Sequence, residues 1–154
     1  ASVLFLLLMF IGGCAGSTTG GLKIFRFQIL FKYVSLHLKR MLNPHIVLNA
    51  QFNGKKVPES TYESVMTFFF IYIITFAFSA LFLSFSGLDF LTCISAAASA
   101  ISNVGPGLGE IIGPEGNYSS LSDYSKLILI LTMFLGRLEM LTIFILLLPS
   151  FWKN

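Results

Sequence analysis

The sequence has little charge and few of the residues that build metal centres or disulfide frameworks. Charged residues make up 11% of the 154 positions, and there are only two cysteines, two histidines and one tryptophan. Two cysteines do not form the disulfide framework of a small secreted domain. No set of His, Cys and carboxylate residues has the spacing of a catalytic or metal centre. We therefore expect neither an enzyme nor a bound cofactor.

Apolar runs dominate the rest of the chain. It is 55% hydrophobic, with 17 phenylalanines and a mean hydropathy of +0.83, which is more apolar surface than a soluble domain of this size can bury. Residues 65–85 and 124–151 are each long enough to cross a bilayer as a helix. Residues 1–11 are apolar but too few to cross alone, so we expect their helix to begin upstream. The composition predicts an all-α membrane protein.

The charged residues are unevenly distributed. Seven basic residues lie between positions 22 and 58, namely Lys23, Arg26, Lys32, Lys39, Arg40, Lys55 and Lys56. The later loop is acidic, with Glu110, Glu115 and Asp123. The positive-inside rule makes the first region cytoplasmic and the second external. A basic cluster that lies between membrane segments does not indicate nucleic-acid binding, and the expected surroundings are the lipid bilayer.

Residues 43–59 form a short cytoplasmic linker in this topology. Within it, residues 46–52 and 55–57 flank Asn53-Gly54, which is typical of a two-residue β-hairpin turn. We therefore expect a small cytoplasmic β-hairpin between two helices.

Three sites in the sequence have the pattern of helix N-termini. A helix is predicted after Pro58, with Ser60 and Glu63 as a capping box. Asp89 and Asp123 are the expected N-caps of the two helices that follow.

The stretch Asn103-Val104-Gly105-Pro106-Gly107-Leu108-Gly109 cannot continue a helix, because it holds three glycines and a proline. The run before it, residues 89–102, consists of small and apolar residues and spans about 21 Å as a helix. This is too short for a hydrocarbon core of about 30 Å. Irregular backbone at membrane depth is stable only where protein buries it or it lines an aqueous cavity. The pattern favours a re-entrant pore loop over the alternative, an amphipathic surface helix with an ordinary loop.

A pore loop of this kind can replace the hydration shell of an ion with backbone carbonyl oxygens. Gly105 is the best candidate for the bend that turns successive carbonyls, with Asn103 and Val104 beside it. Pro106 fixes the exit, and Gly107 and Gly109 allow the chain to return. The C-terminal end of the short helix has a negative dipole and points at this loop, which favours a cation.

A second glycine-rich stretch follows the first apolar run. Its members are Gly12, Gly13, Cys14, Ala15, Gly16, Ser17, Thr18, Thr19, Gly20 and Gly21. Gly12, Gly16 and Gly20 have the small-xxx-small spacing of a continuous, closely packed helix. The two glycine doublets, however, lower helix propensity by up to about 1 kcal/mol per glycine. We favour a broken helix with an intramembrane loop.

Arg137 lies well inside the last apolar run. A charge there costs at least about 2.5 kcal/mol unless it faces water or a partner, and Glu139, two residues away, is on another side of the helix. Arg137 either bonds to another helix as a packing contact or projects into a conduction path, where its positive charge would act as a gate for cations.

Three motifs together resemble the last part of TrkH-type potassium uptake subunits. They are residues 12–23 (GGCAGSTTGGLK), residues 103–110 (NVGPGLGE) and Gly136-Arg137-Leu138-Glu139. The resemblance covers essentially the whole chain. It implies four fused helix–pore loop–helix repeats, of which this chain would hold the fourth, preceded by the second helix of the third repeat. The parts would be residues 1–42, the linker 43–59 and the repeat 60–154.

The resemblance also implies roles for individual residues. Asn103, Val104, Gly105, Pro106 and Gly107 would form the fourth filter segment, with K⁺ at the backbone carbonyls of Val104 and Gly105. Residues 12–21 would be the intramembrane gate loop that faces Arg137. Thr19 departs from the family, in which many members have glycine there. The earlier repeats are absent, so we expect transport to be a property of a longer parent protein.

The family implies a homodimer in the cell inner membrane and a cytosolic nucleotide-binding regulatory partner of TrkA type. The expected function is potassium transport, passive or coupled to another ion, through a gated pore. Two alternatives stay open, a sodium-coupled Ktr-type symporter subunit and a membrane anchor or scaffold whose re-entrant segment only packs. The Gly-Pro-Gly-Leu-Gly exit and the motif around Arg137 argue against the Ktr type.

Overall fold

The computed structural model describes residues 2–14, 20–42, 51–52, 55–56 and 58–138. These residues are mostly helical, as the composition predicts. The helices are α1 (Ser2–Met9), α2 (Ile24–Leu42), α3 (Glu59–Ser84), α4 (Phe90–Ser102) and α5 (Asp123–Arg137), with a 3₁₀ turn at Tyr118–Ser120. Two short strands, β1 (Gln51–Phe52) and β2 (Lys55–Lys56), lie between α2 and α3.

The helix α3 begins directly after Pro58, as expected, but the predicted capping box is wrong. Pro58 is the N-cap, with extended ψ of 149°, and no side chain caps the first turn. Ser60 already lies inside the helix, where its carbonyl accepts a hydrogen bond from Ser64 Oγ at 2.8 Å. Within the described ranges, residues 60–84 form a helix long and apolar enough to cross a membrane.

The short helix α4 is enclosed by protein. It packs against α5, α3 and α1, and ten of its thirteen residues are buried. Asp89 caps it as predicted, since a carboxylate oxygen accepts a hydrogen bond from Leu91 N at 3.3 Å. Around its first half, Leu83, Ile112 and Leu129 pack together in the largest apolar cluster. The apolar half-helix, about 20 Å long, is therefore surrounded by other helices rather than by solvent.

The helices α1 and α2 do not form one continuous helix, because residues 10–14 and 20–23 are not helical. This confirms the predicted broken helix. Ile11 and Leu22 form a parallel bridge. Gly12 N donates to Leu22 O at 2.8 Å, and Leu22 N donates to Phe10 O at 3.2 Å. Both ends of the intervening loop are therefore joined by main-chain hydrogen bonds.

The helix α5 begins at Asp123, but its N-cap is Ser122, so the predicted Asp123 cap is wrong. Ser122 Oγ accepts a hydrogen bond from Ser125 N at 3.3 Å. Asp123 is already helical and lies instead 3.5 Å from Lys126 Nζ. The described helix ends at Arg137, and the rest of the run predicted to reach residue 151 lies outside the described residues.

The two strands pair as Gln51 with Lys56 and Phe52 with Lys55. This is the register that a two-residue turn at positions 53–54 requires. The turn itself and residues 43–50 and 57 lie outside the described residues. The cytoplasmic location of this hairpin stays a prediction.

Candidate functional site

The loop at residues 103–109, called the filter loop below, leaves the C-terminus of α4 and turns back along it. Asn103 ends the helix in the left-handed conformation, with φ of 55°. The next three residues, Val104, Gly105 and Pro106, are exposed, whereas Gly107 is buried. The negative end of the α4 dipole therefore points at irregular backbone that is open on one side.

Two successive peptide N–H groups of this loop bond to one residue of α4. Val104 N donates to the Ser99 carbonyl at 3.0 Å, and Gly105 N donates to Ser99 Oγ at 3.1 Å. No peptide bond here is cis, and a trans peptide holds its N–H and C=O in opposite directions. The carbonyls of Asn103 and Val104 consequently both point away from Ser99.

Gly105 makes this arrangement possible. Its φ is +112°, a conformation that side chains disfavour and glycine adopts freely. A Cβ built on Gly105 would meet nothing within 4 Å, so the need for glycine comes from the backbone conformation and not from crowding. The sequence predicts a bend that needs glycine at position 105, and the positive φ of Gly105 agrees with it.

A stripe of hydroxyl side chains on α4 supports the returning strand of the loop. Ser95 Oγ accepts a hydrogen bond from Leu108 N and lies 3.0 Å from Leu108 O, to which it donates. A Cβ on Gly109 would lie 3.1 Å from Thr92 Oγ1. Thr92, Ser95 and Ser99 are spaced three and four residues apart and so share one face. In the sequence this run reads as small and apolar, but the spacing of its hydroxyl residues already indicates a common face.

The carbonyl of Gly105 points in a different direction from the two before it. Tyr118 in the 3₁₀ turn donates its hydroxyl to this oxygen at 2.7 Å. Burial raises the pKa of Tyr118, and a hydrogen bond with Ser99 lowers it in part, so the hydroxyl stays protonated at neutral pH. One of the two carbonyls predicted to bind K⁺ thus has a protein donor. No sequence pattern identified Tyr118, because the contact spans thirteen residues of irregular loop.

The predicted gate loop approaches the base of the filter loop. Of its residues, Gly12, Gly13, Gly20 and Gly21 are described, whereas Gly16, Ser17, Thr18 and Thr19 lie outside the described residues. A Cβ on Gly20 would lie 2.7 Å from Ser102 O and 3.0 Å from Asn103 Cβ. The returning end of the gate loop is therefore in direct contact with the end of α4.

Arg137 lies in the last described turn of α5, and its side chain is exposed. The neighbouring Gly136 packs directly on the Ile101 carbonyl, and Asn103 Nδ2 donates to Met133 O at 3.2 Å. This end of α5 is thereby held against the base of the filter loop. Glu139, the other charge of the predicted motif, lies outside the described residues.

The described part of the chain contains no group of three or more His, Cys, Asp or Glu side chains placed to hold a metal. Apart from the side-chain amide oxygen of Asn103, the oxygen atoms of the filter loop are those of backbone carbonyls. Neutral carbonyl oxygens suit a weakly hydrated cation better than a transition metal, which prefers imidazole or thiolate ligands.

Comparison with known proteins agrees with this geometry. A family profile described as "TrkH: Cation transport protein" matches residues 1–153. The chain is 45% identical over its whole length to the Trk system potassium uptake protein TrkI of Halomonas elongata. It is 39% identical over 152 residues to TrkH of Escherichia coli K12. In both cases it covers 31% of the relative's length.

The crystal structure of the potassium transporter TrkH from Vibrio parahaemolyticus superimposes with a TM-score of 0.87 at 38% sequence identity. The match covers 99% of this chain and 32% of that one. The sequence and structure comparisons therefore agree over nearly every residue, and this chain belongs to the TrkH cation transport protein family.

Proposed function

We propose that this chain is part of a potassium uptake protein of the cell inner membrane, and that the filter loop supplies one segment of its selectivity filter. The relatives of known name are Trk system potassium uptake proteins. The chain spans about a third of their length, so transport is a property of the larger protein to which this part contributes.

The observation that carries the proposal is the common direction of the Asn103 and Val104 carbonyls. Both peptide N–H groups that follow them are bonded to Ser99, so the two oxygens are held in directions that point away from Ser99. Fixed carbonyl dipoles can replace water around a dehydrated K⁺ ion. This favours Asn103 and Val104 as the first pair of ligands, in place of Val104 and Gly105 as the sequence suggested.

The domain organisation supports a helix–pore loop–helix unit. The spanning helix α3, the enclosed half-helix α4 with its return loop, and α5 follow one another in residues 60–154. Residues 1–42 supply the end of the preceding unit, and residues 43–59 link the two. Four such units would be needed to surround one ion path.

The gate loop and Arg137 regulate the same path in this proposal. Gly20 contacts the end of α4, so movement of the gate loop would be felt at the base of the filter. A fixed positive charge at Arg137 would raise the barrier for a cation, because like charges repel strongly where water is scarce. The packing role remains the competing explanation for Arg137.

The parent protein is proposed to be a homodimer that binds a cytosolic nucleotide-binding subunit of TrkA type. The basic residues of α2, which ends with Lys39 and Arg40 in its last turn, are the proposed contact on the cytoplasmic side. A sodium-coupled Ktr-type subunit would share this fold. A scaffold without transport would leave the exposed carbonyls of the filter loop without a purpose.

The filter assignment is tested by Gly105→Ser in the full-length protein, with Gly87→Ser as the matched control. Both glycines have positive φ, at +112° and +72°, and neither has an atom near a built Cβ. Gly87 lies at the opposite end of α4, before its N-terminus. We expect Gly105→Ser to lower the K⁺/Na⁺ flux ratio about tenfold, equivalent to about 1.4 kcal/mol, and Gly87→Ser to leave it unchanged. Equal ratios in both variants would refute the assignment.

A further inference from the structure

We propose that Tyr118 is a positioning residue that sets the ion selectivity of the filter by holding the Gly105 carbonyl out of the ion path. The hydroxyl of Tyr118 donates to the Gly105 oxygen at 2.7 Å. This inference rests on the proposed function, because it assigns a role to the third peptide of the same filter loop.

The Gly105–Pro106 peptide can be oriented by a hydrogen bond only through its carbonyl oxygen, unlike the two peptides before it. Those two are fixed through their N–H groups, which bond to Ser99. The third peptide has no N–H, because its nitrogen belongs to Pro106. Among the described residues, Tyr118 donates a hydrogen bond to the oxygen of this peptide. The orientation of this carbonyl is therefore set from outside the loop.

Among the described residues, no side chain crowds the Cα of Gly105 and so restricts this peptide by packing. A Cβ at Gly105 would contact no atom within 4 Å, and glycine places few limits on its own dihedral angles. A cavity of about 390 Å³ lies beside the bond, lined by Ser99, Tyr118, Leu129 and Met133 among others. Loss of the hydroxyl would remove the donor that holds this oxygen in its present direction.

Tyr118 itself is held in place. Its 3₁₀ turn is capped by Asn117, whose side chain accepts a hydrogen bond from Ser119 N at 3.1 Å. Leu121, at the end of the turn, is buried in the apolar cluster against which Tyr118 also packs. The rigid ring thus carries a donor from the external loop to a fixed point behind the filter.

The number of coordinating carbonyls and the strength of their field govern discrimination between K⁺ and Na⁺. With Tyr118 in place, this segment offers two outward oxygens, those of Asn103 and Val104. Without the hydroxyl, the Gly105 oxygen becomes free to turn towards the ion. A third, mobile oxygen lets the site contract around a smaller cation, so selectivity falls while conduction continues.

The test is Tyr118→Phe in the full-length protein reconstituted in lipid vesicles, with K⁺ and Na⁺ fluxes and thermal unfolding measured in parallel. Tyr62→Phe is the control, because it removes a tyrosine hydroxyl at a different place, the contact of α3 with Ile29 of α2. We expect Tyr118→Phe to lower the K⁺/Na⁺ flux ratio at least threefold, with K⁺ flux within twofold of the parent. Tyr62→Phe should leave the ratio unchanged.

A rescue separates the hydroxyl bond from general packing. Replacing Tyr118 with 4-aminophenylalanine keeps an N–H donor at the same ring position and should restore the ratio. An unchanged ratio in Tyr118→Phe, together with a lowered ratio in Gly105→Ser, would overturn this inference and leave the filter assignment intact. Unchanged ratios in both variants would overturn the filter assignment itself.

Discussion

The two glycine-rich loops of this chain interrupt helices in different ways. The gate loop is closed by main-chain bonds between its two ends, where Gly12 N donates to Leu22 O and Leu22 N donates to Phe10 O. The filter loop has main-chain bonds too, from Val104 N to Ser99 O and from Gly107 N to Ile112 O. In addition, the hydroxyls of Ser95, Ser99 and Tyr118 bond to its backbone.

This difference predicts different sensitivities to mutation. Main-chain bonds do not depend on side-chain identity, so the described ends of the gate loop should tolerate any change that leaves room for close backbone approach. The filter loop depends on individual hydroxyl groups, so removing one of them should alter ion discrimination. Hydrogen bonds from hydroxyl side chains can hold individual carbonyl oxygens of a filter in fixed directions.

A large loss of stability is expected for Gly12→Ala. A Cβ there would lie 2.7 Å from Gly20 O and 3.1 Å from Leu22 O, and both are backbone atoms that cannot rotate away. Overpacking of this kind typically costs about 1–3 kcal/mol, and occasionally more. Thermal unfolding of the purified full-length protein should show a clear loss relative to Gly87→Ala. Equal unfolding temperatures in the two variants would contradict the close approach of Gly12 to Gly20 and Leu22.

A smaller effect on stability, with a change in selectivity, is expected for Ser95→Ala. The hydroxyl of this buried residue bonds to both the N–H and the carbonyl of Leu108, and its loss leaves a half-buried N–H without this partner, at a cost of about 1 kcal/mol. The control is Ser125→Ala, which removes an equally buried hydroxyl bonded to Ser86 Oγ at 2.8 Å.

Both serine variants should unfold at lower temperature, but only Ser95→Ala should lower the K⁺/Na⁺ flux ratio. A lowered K⁺/Na⁺ flux ratio in both variants would indicate that selectivity follows general stability. In that case the contrast between side-chain and main-chain support would not matter for function.

The smallest effect on stability is expected for Arg137→Ala. Arg137 is exposed, and exposed substitutions usually change stability by less than about 0.5 kcal/mol. If the charge lies beside the path, its removal should raise basal K⁺ flux several-fold. The control is Lys126→Ala, which removes a cation from the first turns of α5, paired with Asp123. Equal or lower flux at normal expression would support the packing role of Arg137.

Much of the fold follows from local sequence signals. The start of α3 after Pro58, the Asp89 cap and the break between α1 and α2 each depend on a few neighbouring residues, and the structure agrees with all three. The errors at Ser60 and Asp123 are shifts by one or two residues. They arise because Pro58 and Ser122, which lie one or two residues before the predicted caps, can also occupy the N-cap position.

The contacts that orient the filter loop are harder to predict. The helical spacing of Thr92, Ser95 and Ser99 was visible but carries no direction until the loop is known to return along α4. The bond from Tyr118 to Gly105 joins two irregular segments, for which no periodicity exists. The roles of Gly16, Ser17, Thr18, Thr19 and Glu139 stay predictions, because these residues lie outside the described ranges.

The most direct test of the account is to locate a heavy K⁺ substitute in crystals of the full-length protein. Rb⁺ can be placed by its anomalous scattering. We expect an Rb⁺ peak coordinated by the carbonyl oxygens of Asn103 and Val104, with the Gly105 oxygen still bonded to Tyr118. A bound Rb⁺ in the pore with those two carbonyls turned towards protein atoms would contradict the account.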